Sequence, residues 1–121
     1  MRVGYVVLYV NDAEACRRFW VDQIGMVEKS RIEAGPFSIP QVGFAEQPFA
    51  FELVPLELMK DNPDGLDLAT PSIAFTVDDL DAVHTDLVQR GVQASEVGEH
   101  GGRRSFAFAD PEGRWFAVLA G

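Results

Sequence analysis

The chain has 121 residues and a mass of 13.3 kDa, room for one compact domain or two very small modules. Hydrophobic residues make up 47% and charged residues 24%, with nine Phe among them, a composition that supplies a core and excludes intrinsic disorder. The net charge of −9 is spread over both halves and argues against phosphate backbones and anionic membranes as partners.

Residues 3–10 are β-branched and aromatic and predict a buried strand. Asn11-Asp12 offers a helix N-cap. Cys16, Phe19, Trp20 and Ile24 then recur at helical spacing on one face, and Gly25 is a stop signal. Cys16 on that face reads as a small buried hydrophobe and Phe19-Trp20 as core. Strands are predicted over roughly 27–33, 40–46 and 49–55. Residues 56–71, with Asn62-Pro63-Asp64-Gly65 and Pro71, read as a linker.

The same order then begins again. Residues 72–77 predict a strand, Asp78-Asp79 a cap, and Leu80, Val83, Leu87 and Val88 a helical face that Gly91 ends. Strands follow at about 92–97, 103–109 and 114–119. Asp110-Pro111-Glu112-Gly113, between the last two, has the residue pattern of a type I turn. An offset of 67 places Asp12 on Asp79 and Trp20 on Leu87, and after a one-residue slip Gly25 meets Gly91. Phe51-Glu52-Leu53 lies 65 residues before Phe116-Ala117-Val118.

This is an internal duplication. It predicts an α+β fold of two tandem β-α-β-β-β modules, 1–55 and 72–121, within one domain over 1–121. Their sheets are expected to form a curved, partly closed mixed sheet around a hollow, the default place for a ligand. No run approaches the roughly 20 apolar residues of a membrane span, and the N-terminus lacks the form of a signal peptide. A single cysteine excludes an internal disulfide and suits a reducing compartment, so a cytoplasmic location is expected.

Several segments resemble the vicinal oxygen chelate superfamily, which includes glyoxalase I, extradiol dioxygenases, fosfomycin-resistance transferases and bleomycin-resistance proteins. They are Leu8-Tyr9-Val10-Asn11-Asp12, Phe19-Trp20, Ile24-Gly25-Met26, Phe51-Glu52-Leu53, Ile73-Ala74-Phe75-Thr76-Val77-Asp78 and Phe108-Ala109-Asp110-Pro111-Glu112-Gly113. The resemblance spans essentially the whole chain. It implies a divalent metal held at four positions, which fall here on Tyr5, Glu52, Ser72 and Ala117. Only Glu52 is an ordinary ligand, and alanine has no donor atom, so no metal and no other cofactor is expected. His84 falls on the second helix; His100 falls in a turn from which it could swing to complete an unusual site.

Strand parity turns Val7, Tyr9, Ala50, Val54, Ala74, Thr76, Trp115 and Leu119 to the same side as those four positions. The resulting ligand set is Tyr5, Val7, Tyr9, Glu52, Ser72, Ala74, Trp115 and Ala117. Arg104, on a loop beside Arg103, is a candidate clamp for an anionic group. Glu52 has three possible roles: a hydrogen-bonded group beside Tyr5 or Ser72, an anchor for a polar or cationic ligand, or a general base. The resemblance thus implies a metal-free protein that sequesters a small, partly aromatic molecule. The alternative is a glyoxalase-like or dioxygenase-like enzyme with Glu52 as base or metal ligand. The partners expected are that small molecule and a second copy of the chain, and neither nucleic acid nor membrane.

Overall fold

A computed structural model describes residues 5–61, 68, 73–100 and 103–121; of His100 and Arg103 it describes the backbone alone. The chain divides into two compact units, Met1–Thr70 and Pro71–Gly121. Each contains one four-stranded mixed sheet and one helix, an α+β architecture. Among the described residues no helix is long and apolar enough to cross a membrane.

In the first unit β1 is Val6–Val10, α1 Ala13–Arg18, β2 Val27–Ala34, β3 Phe37–Gly43 and β4 Phe51–Pro55. The sheet order is β1-β4-β3-β2, with β1 parallel to β4 and the other pairs antiparallel. In the second unit β5 is Ala74–Val77, α2 Leu80–Gln89, β6 Gly98–His100, β7 Arg103–Ala109 and β8 Trp115–Ala120. Its order, β5-β8-β7-β6, repeats the first, with the same parallel pair.

Register establishes the duplication residue by residue. Val7 pairs with Glu52 and Glu52 with Gln41 in the first sheet; Ala74 pairs with Ala117 and Ala117 with Ala107 in the second. The offsets of 67 and 65 inferred from the sequence are therefore the offsets of the ladders. Both helices start the same way. Asp12 Oδ1 accepts from the Ala15 amide at 3.0 Å, and Asp79 Oδ1 from the Ala82 amide at 3.1 Å.

The one-residue slip has a physical form. Beyond Arg18 the first helix continues as a π-helical segment, Phe19–Ile24, and the Gly25 amide reaches back five residues to the Trp20 carbonyl at 3.1 Å. A π turn holds one more residue than an α turn. That extra residue is what separates Asp12–Gly25 from Asp79–Gly91. Both glycines close their helices with left-handed φ, 101° and 84°.

Each helix covers one face of its sheet. Trp20, fully buried, meets the Phe51 ring edge-on at 5.1 Å, so Leu8, Val10, Phe51 and Leu53 form the helix side of the first sheet. On the second sheet Phe75, Phe108 and Phe116 pack together, and His84 of α2 lies edge-on to Phe106 at 4.8 Å. Cys16 is buried as expected. Val88, assigned to the apolar face of α2, is instead half-exposed, and that face is completed by His84.

Two strands depart from expectation. β3 starts at Phe37 rather than near 40, because Gly35-Pro36 forms a two-residue hairpin turn in which Ala34 pairs with Phe37. Gly35 has a φ of 61°, the left-handed region that the first position of such a turn demands. β6 is regular only from Gly98, although a strand is predicted over 92–97. There the Ser95 hydroxyl accepts from the Ala107 amide at 3.0 Å, in place of a main-chain carbonyl, which breaks the ladder. Within the predicted linker, Leu56–Met59 forms a 3-10 turn; residues 62–67 and 69–71 lie outside the described residues. Asp110–Gly113 is the expected turn: the Gly113 amide donates to the Asp110 carbonyl, and Asp110 Oδ1 accepts from the Glu112 and Arg114 amides.

Candidate functional site

The faces opposite the helices carry the residues singled out by parity. On the first sheet these are Tyr5, Val7, Tyr9, Ala50, Glu52 and Val54. On the second they are Ala74, Thr76, Trp115, Ala117 and Leu119, with Ala107 beside Ala117. Ser72 lies outside the described residues. Tyr5 is 47% and Trp115 50% exposed, and Ala74 and Thr76 are exposed as well.

Glu52 sits on the central strand β4 and is only 8% exposed. Its hydrogen-bond partner among the described residues is Gln41, which neither parity nor the resemblance indicated. Gln41 Nε2 donates to Glu52 Oε1 at 3.0 Å. Ser30 Oγ in turn donates to Gln41 Oε1 at 3.0 Å. Because Ser30 pairs with Gln41 and Gln41 with Glu52, the three side chains form a polar row across β2, β3 and β4. At the positions of Val7, Glu52 and Gln41 the second sheet carries Ala74, Ala117 and Ala107, three methyl groups. One duplicated frame thus carries a hydrogen-bonding surface in one copy and a smooth apolar one in the other.

Among the described residues, no three His, Cys, Asp or Glu side chains lie together in a way that could hold a metal ion. The donor set is a poor match for a divalent ion: Glu52 is engaged by an amide, and Ala117 offers no donor. His84 faces the helix side, where its Nε2 lies 2.8 Å from the Ser95 carbonyl. The backbone of His100 pairs with Arg103, and its side chain lies outside what is described.

Arg104 does not share the face of Ala117. It alternates with Ser105 and Ala107 on β7, so it stands on the helix side. There its guanidinium forms a two-point pair with Asp81 of α2, at 3.0 and 2.8 Å. That contact holds the Asp81 carboxyl below its usual range. A second charged cluster ties α1 to β2. Arg31 bonds Glu28 and Glu14, and Arg17 bonds Glu14 at 2.9 Å. The Arg31 hydrogen bonds lower both carboxyls. Both clusters lie on exposed ground and join elements.

A family model described as Glyoxalase/Bleomycin resistance protein/Dioxygenase superfamily matches residues 2–118. A search of curated proteins finds no match. Among solved structures, TnmS3, an antibiotic binding protein from Streptomyces sp. CB03234, superposes with a TM-score of 0.80 at 20% identity, covering 99% of this chain and 95% of that one. UcmS2 gives 0.82 at 19% identity, over 100% and 98%. A member of the same superfamily from Sphaerobacter thermophilus DSM 20745 gives 0.79 at 20% identity, over 100% and 98%. These likenesses show the fold.

Proposed function

Because the chain belongs to the glyoxalase/bleomycin resistance protein/dioxygenase superfamily, we propose that it binds a small, partly aromatic molecule, without metal and without turnover, on the sheet faces its helices leave uncovered. The observation that carries this reading is the contrast within the duplicated frame: a polar row ending on the buried Glu52 in one sheet, an alanine row with a half-exposed Trp115 in the other. Apolar walls with few orienting polar groups suit a small planar ligand. The antibiotic-binding description of TnmS3 supports the same direction.

The ligand set we propose is Tyr5, Val7, Tyr9, Glu52, Ser72, Ala74, Trp115 and Ala117. Arg104 is left out of it because Asp81 holds the guanidinium on the other face. We place the protein in the cytoplasm as a homodimer. The buried thiol of Cys16 suits a reducing compartment, and β2, an edge strand exposed along most of its length, is open to a second copy. With a net charge of −9, nucleic acid is a poor partner.

Tryptophan fluorescence tests the ligand face. Trp20 is sealed under the first helix, so a ligand on the uncovered faces changes the emission of Trp115. Saturable change with planar aromatic compounds, abolished in Trp115→Phe, is the expected result. A panel of such compounds that leaves Trp115 unaffected, or consumption of the compound on incubation, overturns the reading.

A further inference from the structure

We infer that Gln41, itself held by Ser30, is a positioning residue that aims the Glu52 carboxylate at a hydrogen-bond donor on the ligand, and so sets the specificity of the site. This rests on the small-molecule reading above. The amide of Gln41 can face either way in isolation, but its two neighbours choose for it. A carboxylate only accepts hydrogen bonds, whereas a hydroxyl donates or accepts. Glu52 therefore takes the amide NH2 of Gln41, and the amide oxygen is left for the Ser30 hydroxyl. Rotation of the amide would set two oxygen acceptors against each other at Glu52.

The consequence lies in what remains open. Glu52 is more than nine-tenths buried, and among the described residues Gln41 is its one hydrogen-bond partner and no cation pairs with it. A buried carboxylate with a single donor on Oε1 has unfilled capacity on Oε2. The ligand group that fills it is an O–H or N–H donor, neutral or cationic; an anionic group would meet repulsion from Glu52 and from the chain's net charge of −9. The alanine row of the second sheet has no such demand.

The test uses naphthol and its methyl ether, planar probes that differ in one donor hydrogen, titrated calorimetrically into the full chain. The wild-type protein is expected to favour naphthol by roughly ten- to hundredfold, the value of a hydrogen bond to a charged group. Gln41→Leu should remove most of that preference and Ser30→Ala part of it, with binding of the methyl ether unchanged. Equal weakening of both probes in Gln41→Leu means a merely structural role and overturns the inference, as does a preference that survives the substitution. If neither probe binds the wild-type chain, the small-molecule reading fails for planar aromatics. The positioning role is then judged from the Gln41 side-chain amide in 1H–15N spectra. One Nε2 proton held on a carboxylate resonates downfield of its twin, and Glu52→Leu and Ser30→Ala should each reduce that separation. A separation that neither variant changes overturns the positioning role without reference to any ligand.

Discussion

A carboxylate on an apolar sheet face is costly unless donors surround it. Among the described residues Glu52 has one side-chain donor, Gln41, and it is nearly enclosed. Replacing the ion by its isosteric amide removes the cost of burying charge while an oxygen remains to accept from Gln41. Glu52→Gln is therefore expected to leave the stability of the ligand-free chain unchanged or raise it, by up to about 1 kcal/mol in chemical denaturation. A clear loss would mean that the charge itself supports the fold. The face of the sheet on which Glu52 lies was legible from strand alternation. The partner of Glu52 was not, because parity assigns faces and says nothing about which residue of a neighbouring antiparallel strand stands alongside. Gly35-Pro36 was the available signal, since placing that turn fixes Phe37 opposite Ala34 and, further along, Gln41 opposite Ser30.

Caps and ion pairs act between elements. Asp12 and Asp79 make the same bond at the same place in the duplicated frame. Asp12→Ala and Asp79→Ala should each cost roughly 1 kcal/mol in thermal or urea unfolding. A much larger effect at one of them would show that the two helix starts are not equivalent. Arg31 joins α1 to β2 through Glu14 and Glu28, and both carboxyls are lowered in the folded chain, first of all by its hydrogen bonds. Carboxyls lowered on folding contribute stability that is present above their unfolded value of 4.5 and lost as pH falls through the folded values below it. Arg31→Met should flatten that acid limb of a stability-against-pH curve. An unchanged limb would show that these exposed pairs contribute nothing measurable.

At the scale of the whole molecule, the duplication determines what chemistry is available. The four positions that the family resemblance marks for metal fall on Tyr5, Glu52, Ser72 and Ala117, a set with one ordinary ligand. Purified protein dialysed against a chelator is expected to show no stoichiometric Zn, Ni, Mn or Fe before or after treatment. One tightly held metal per chain, lost in Glu52→Gln, would redirect the function toward metal-dependent catalysis. Light scattering at micromolar concentration should give twice the chain mass of 13.3 kDa; a species of the single-chain mass would remove the dimer.

The amino-acid sequence by itself determined the duplication, both helix caps, the Asp110–Gly113 turn, the buried Trp20 and Cys16, and the face on which Glu52 lies. These are local properties: a cap, a turn or an alternation is decided by residues a few positions apart. Tertiary structure alone decided four other features. Gln41 stands beside Glu52, Arg104 turns to Asp81, the extra residue of the first helix becomes a π turn, and Ser95 delays β6. Each of these depends on which residue of one element comes to face which residue of another. That pairing is set by cross-strand register and helix packing, where groups distant in the chain compete for the same hydrogen bonds.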